Sequence, residues 1–416
     1  MFVVSEKRIS DVDKLNEALG ASPVVSLDGL TSIAAKSFVL SRISVSDQTV
    51  VVVTDSNASL ETWESDLRFW TRGSDVTILC LPSFETDVYS GGSPHAETME
   101  RRALTLWSLG SWRPDFLIVS ARSLVTRTVM PEEVGRYGTV LKLDDEVDLG
   151  GIIETLSGAG YEREDPVTGV GQFSVRGGIL DAWPPDTERP IRVEFFGDTV
   201  DSIREFDSET QLSVAKVNQT SLPPMREFIA SAQNLKDWSF FARDKFAGES
   251  FARSLLDRTE FADEGETFSG WEFLIPLVDP LKGTLFDFIE NPLFVIDEPV
   301  VVEQALASHY DNLRRRYNSL TDTGEIGLAP DELFLSAEDL RGRLREQQRI
   351  ELRSLGRSAA ATDEEFVIEG GVSGGNEKFS PPAASLFLFP TVERSENIEI
   401  QSRATQKFHG DLERFA

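Results

Sequence analysis

The chain has 416 residues and a formal net charge of −29, from 41 Lys plus Arg against 70 Asp plus Glu. So acidic a balance argues against a broad electropositive groove for nucleic acid, because phosphate binding draws on clustered cations. The single cysteine, Cys80, forbids an intrachain disulfide and suits a reducing cytoplasm, and the three scattered histidines offer no metal-ligand set, so no metal or cofactor is expected.

The N-terminus lacks the basic-then-apolar layout of a secretory signal, and no apolar run approaches the ~18 residues that span a bilayer. A cytoplasmic location is the expectation. In the first third, apolar runs at residues 24–27, 49–54, 76–81 and 115–120 read as strands. Helical patterning at 31–43, 59–70 and 97–109 separates them. Continuous apolar strands alternating with helices imply a mostly parallel sheet covered on both faces, an α/β domain.

The pattern changes near Leu143. A short helix at 149–156 is followed by β-branched and aromatic runs at 171–183, 191–196 and 200–206, broken by Pro184-Pro185 and by the turn signal Gly197-Asp198. This reads as an antiparallel β-rich module. After Pro224 the α/β patterning returns, with a strand at 293–298, a helix at 301–317 and a further helical signal from 337 to about 355. Residues 369–376 read as a glycine-rich loop, residues 385–389 as a last apolar segment of strand length, and residues 401–416 as a linker. The division is thus 1–142, the first part of the α/β domain; 143–222, the β-rich insertion; 223–400, the remainder with helical additions; and 401–416, a linker to further domains.

Two places could carry chemistry. Gly29 to Ser37 sits where a phosphate-binding loop would, but such a loop needs a second glycine and a lysine where this chain has Ala34 and Ala35. Lys36 follows one residue late, rotated by ~100° around a helix from the position required. A degenerate loop is the expectation, and Asp297 and Glu298 then merely end a strand and cap the next helix. In the β-rich module, alternation puts Ile191, Val193 and Phe195 on one face and Arg192, Glu194 and Phe196 on the other. In the preceding strand Phe173 and Val175 point inward, Ser174 and Arg176 outward. Alternation alone leaves two readings open: an interface of arginines around an aromatic, or a phenylalanine tucked under a loop beside surface ion pairs.

The run Gly171-Gln172-Phe173-Ser174-Val175-Arg176-Gly177-Gly178-Ile179-Leu180-Asp181 opens an ordered signature. Pro190-Ile191-Arg192-Val193-Glu194-Phe195-Phe196-Gly197-Asp198 continues it, followed by Ser202-Ile203-Arg204-Glu205-Phe206-Asp207 and Thr210-Gln211. It resembles the module shared by the bacterial transcription-repair coupling factors (Mfd) and the excinuclease protein UvrB. Leu81-Pro82-Ser83-Phe84-Glu85, Ser93-Pro94, Arg101 and Gly283-Thr284-Leu285-Phe286-Asp287-Phe288 extend the likeness over most of residues 20–400. The degenerate loop, and a short segment 83–94 with only Tyr89 where UvrB has a tyrosine-rich hairpin, favour the coupling factors.

The resemblance implies a degenerate RecA-like helicase fold interrupted by the β-rich insertion. It also implies a non-catalytic module that recruits the excinuclease protein UvrA, with family contacts carried onto Arg176, Arg192 and Phe196. Substitution of Arg192 or Phe196 by alanine is expected to weaken recruitment and leave folding intact. RNA polymerase and DNA would be met by domains outside this chain, with no strong DNA binding by the chain itself. The alternatives are an active, ATP-dependent, damaged-DNA-binding enzyme of UvrB type, and an autoinhibitory domain restraining a downstream motor.

Overall fold

The computed structural model describes residues 6–43, 47–354, 386–389 and 395–400. The expected glycine-rich loop at 369–376 and the linker 401–416 lie outside them. Four strands, β1 (Val24–Asp28), β2 (Val50–Thr54), β3 (Ile78–Leu81) and β4 (Phe116–Ser120), build the first part of the large sheet. After β4 the chain runs through β5 (Thr139–Lys142) and the helix Leu149–Gly158. It then forms β6 (Glu162–Arg163), β7 (Gln172–Arg176), β8 (Ile179–Ala182), β9 (Ile191–Phe196), β10 (Thr199–Phe206), β11 (Ser213–Val217) and β12 (Gln219–Leu222). It returns to the first sheet with β13 (Leu293–Asp297), β14 (Arg349–Arg353) and β15 (Ser395–Glu399).

The large sheet is parallel throughout, in the order β15-β1-β14-β13-β2-β4-β3. Its apolar runs serve both faces by their period of two. Val51, Val53, Leu117, Val119, Phe294 and Ile296 join one core, while Val50, Val52, Ile118, Leu293, Val295 and Ile350 join the other. Helices Ile33–Leu40 and Asn57–Trp70 pack on the second face, with Val39, Leu60 and Trp63 in its core. Helices Ala96–Ser111 and Pro299–Thr323 contribute Leu106, Leu306 and Leu313 to the first.

The smaller sheet runs β11-β10-β9-β8-β7-β6. It is antiparallel from β7 to β11, but the two-residue β6 pairs parallel with β7, so the module is mixed rather than purely antiparallel. Phe173, Leu180, Ile191, Val193, Val200 and Ile203 line one face and pack with Ile152 and Leu156 of the helix Leu149–Gly158. The module is held by its two ends. β5 and β12 pair antiparallel as a two-stranded ribbon, and just beyond it Glu227 meets Arg102 of the α/β domain. Both side chains are buried, the pair is bidentate at 2.6 and 3.0 Å, and Arg102 stacks on Phe84 at 4.2 Å. Arg102 also donates to Pro82 O and Ser123 Oγ, so four of its five N–H donors are bonded within the chain.

Three expectations need correction. The helical signal from 337 to 355 splits: the helix stops at Arg345, and residues 349–353 form β14. The sequence Arg-Ile-Glu-Leu-Arg alternates with period two, and Glu351 bonds both Arg349 (3.0 Å) and Arg353 (2.8 Å), which lets charged residues lie within a buried strand. The apolar segment at 385–389 is not a strand over its described part. The backbone N–H groups of Leu386 and Phe387 instead donate to Glu303 at 2.7 and 3.0 Å, seating Leu388 in the core. Ser174, expected outward, is buried on β7 directly opposite Asp181.

Candidate functional site

The degenerate loop follows β1. Gly29 takes a left-handed φ of +89°, and the helix begins at Ile33 with Ser32 as its N-cap, the Ser32 hydroxyl accepting from Ala35 N at 3.2 Å. The one-residue offset turns Lys36 toward the strand ends, where it is buried. Its Nζ donates to Asp297 Oδ1 at 2.6 Å and to Glu298 Oε1 at 2.7 Å. Trp63 Nε1 donates to the other Asp297 oxygen at 2.7 Å, and Ser354 donates to Glu298 through its backbone N–H (2.9 Å) and its hydroxyl.

The two carboxylates therefore do not act as helix caps. Glu298 occupies the N-cap position with φ +53° but makes no side-chain cap bond. Its carboxylate is spent on Lys36 and Ser354. Burial alone would raise the Glu298 pKa; the hydrogen bonds from Lys36 and Ser354 outweigh that and hold it below the ordinary glutamate value.

The second candidate lies on the face of the small sheet turned away from the helix Leu149–Gly158. Cross-strand register sets Ser174, Asp181, Arg192, Arg204 and Lys216 in one row over β7 to β11. Arg176, Ile179, Glu194 and Ser202 form the next row. Phe196 ends β9 beside a two-residue turn in which Gly197 has φ +65°, a conformation that glycine adopts without a Cβ clash. Phe196 is 82% exposed, so the reading that tucks it under a loop is excluded. Phe195, one residue earlier, packs against the module core.

The arginines are held from below. Arg192 donates Nε and Nη2 to the two oxygens of Asp181 at 2.6 and 2.8 Å, and Arg176 donates Nη2 to Asp181 at 2.9 Å. Asp181 is 1% exposed; the Arg192 side chain is 17% exposed and that of Arg176 51%. Arg192 also stacks over Phe206 at 4.7 Å, and its bonds to Asp181 raise its already high pKa. Beside them Glu194 pairs with Arg204 at 2.9 Å. Arg176, Arg192 and Phe196 thus share one sheet face with the arginines joined through Asp181, whereas Ala34 and Ala35 lie in the first turn of the helix Ile33–Leu40 of the other domain. Of the three, Arg192 is the one whose removal would also strip a buried carboxylate of two bonds. Asp181 is the residue that sequence reasoning missed, although it ends the first run of the signature. Its signal is an acid in an apolar strand flanked by two outward arginines.

Residues 140–228 match the family model described as the UvrB interaction domain. The six-stranded small sheet lies wholly within that match. Over 353 residues it is 30% identical to the transcription-repair-coupling factor of Myxococcus xanthus, covering 79% of this chain and 28% of that protein. The transcription-repair-coupling factor of Haemophilus influenzae is 26% identical over 325 residues, covering 77% of this chain and 28% of that protein. That of Escherichia coli is 26% identical over 283 residues, covering 68% and 24%. The chain carries a UvrB interaction domain within a segment homologous to transcription-repair-coupling factors, and it spans about a quarter of the length of these relatives. No helix among the described residues is long and apolar enough to cross a membrane.

Proposed function

We propose that the chain is a non-catalytic recruitment module of transcription-coupled excision repair that binds the excinuclease protein UvrA through Arg176, Arg192 and Phe196. The observation that carries this reading is Phe196, an exposed phenylalanine on the same sheet face as two arginines, inside the stretch that matches the UvrB interaction domain. An aromatic anchor sharing an exposed face with guanidinium groups has the composition of an interface hot spot. The β-rich unit, taken as residues 143–222, acts as the docking insertion, and the α/β domain on either side serves as its frame.

The nucleotide end supports the non-catalytic half of the reading. Ala34 and Ala35 supply neither the close glycine backbone nor the lysine that phosphates need, and Lys36 is engaged by Asp297 and Glu298. Contacts with RNA polymerase and DNA belong, on this reading, to parts of the full-length relatives that lie outside this segment. The test is capture of purified UvrA on the immobilised chain. Phe196→Ala should lose about thirtyfold in affinity, the effect of a ~2 kcal/mol hot spot, with an unchanged melting temperature. Wild-type affinity in that variant overturns the surface.

A further inference from the structure

We infer that Asp181 is a positioning residue of the recruitment surface, converting Arg176 and Arg192 from two mobile side chains into one fixed cationic unit. The inference rests on the reading that this face binds UvrA. An exposed arginine loses rotamer freedom when it binds, and that loss is avoided if the side chain is already ordered. The geometry shows the ordering. One buried carboxylate takes three charge-assisted hydrogen bonds of 2.6–2.9 Å from two arginines on the strands that flank its own.

The register fixes how this comes about. Asp181 stands directly opposite Arg192 across β8 and β9, and Arg176 lies two residues beyond Ser174, the residue opposite Asp181 on β7. The carboxylate therefore sits between both guanidiniums. The other groups facing Arg192 add to its fixity: Gln211 O accepts from Nη1 at 3.4 Å and the Phe206 ring lies beneath it. Asp165 approaches Arg176 at 3.6 Å through the other terminal nitrogen.

Charge and donor number explain why clamping does not silence the arginines. Two guanidiniums and the buried carboxylate leave one positive charge, faced by the half-exposed Asp165 at 3.6 Å. Each guanidinium has five N–H donors, and Asp181 uses two from Arg192 and one from Arg176. The donors not taken by Asp181, Gln211 O or Asp165 are available to an acidic partner surface, on the sheet face that also carries the apolar anchor Phe196. Asp181 acts through the arginines, not through contact with the partner.

The experiment is calorimetric titration of the full chain with UvrA, with melting temperatures for every variant. Asp181→Asn should weaken binding about tenfold, the worth of a charged hydrogen bond, and Asp181→Glu should restore most of it by returning the charge. In an Arg176→Ala, Arg192→Ala background Asp181→Asn should have no further effect on affinity, because nothing is left to position. A folded Asp181→Asn variant with wild-type affinity, or an undiminished loss in the double-alanine background, overturns the inference. Should Asp181→Asn fail to fold, Arg176→Lys and Arg192→Lys give the second test. Sharing one carboxylate, they should be coupled in binding, and strictly multiplicative losses overturn the claim. Failure of the wild-type chain to bind UvrA instead strikes the underlying reading, whereas binding lost in Arg192→Ala but kept in Asp181→Asn strikes this inference alone.

Discussion

Each of the two sheets carries a shared cluster of charge, and the two clusters have opposite stoichiometry. At the end of the parallel sheet one ammonium, Lys36, is shared by two carboxylates, Asp297 and Glu298, leaving a net negative charge hydrogen-bonded by Trp63 and Ser354. On the small sheet one carboxylate, Asp181, is shared by two guanidiniums, leaving a net positive charge that reaches solvent through Arg176. The first cluster is turned inward and satisfied by its own chain. The second is anchored inward and left with spare donors facing outward. A lysine one residue out of place closes the loop where a phosphate would sit, while a flat, ordered face gains its chemistry without a pocket.

The largest effect should come from breaking the closed cluster. Lys36→Met keeps the stem and removes the charge, leaving two carboxylates facing each other. Loss of one partner from a buried ion pair costs about 3–5 kcal/mol, towards the low end here because Glu298 remains partly solvated. Thermal unfolding should show a marked drop, and adding Asp297→Asn should recover part of it. An unchanged melting temperature would mean that the cluster is not structural.

Arg192→Ala should come next, because it touches both stability and binding. It should lower the melting temperature by the equivalent of about 2 kcal/mol, as Asp181 loses two of its three bonds, and it should weaken UvrA binding as well. Arg176→Ala, at a more exposed side chain that supplies only one bond to Asp181, should weaken binding with under about 1 kcal/mol of stability lost. Equal stability losses in the two variants would contradict the unequal sharing of Asp181.

The smallest effect is in acid. The Glu298 pKa is depressed in the folded protein, so its contribution is full above the unfolded value near pH ~4.3 and is lost as pH falls through the folded one. Melting temperature plotted against pH should fall less steeply below pH ~5 in Glu298→Gln than in the wild type. Parallel curves would remove Glu298 from the acid limb.

What is legible in the sequence follows the same physics. Uninterrupted apolar runs such as Val50–Thr54 and Phe116–Ser120 announce buried parallel strands, because only a sheet covered on both faces tolerates them. β14 is hidden because Arg349, Glu351 and Arg353 look like solvated charges until Glu351 is seen to pair with both arginines. Alternation puts Arg192 and Phe196 on one face, but it cannot separate an exposed Phe196 from a covered one. Asp181 and the Lys36 cluster depend on partners 11 and 261 residues away in the chain, a pairing that local pattern does not contain. The structure therefore adds what joins the residues, more than which residues matter.

The most direct measurement is calorimetric titration of the same protein sample with UvrA and, separately, with magnesium ATP. The account predicts saturable heat with UvrA, with affinity lowered about thirtyfold by Phe196→Ala, and no saturable heat with magnesium ATP. Saturable micromolar binding of magnesium ATP, or no heat with UvrA, would contradict it.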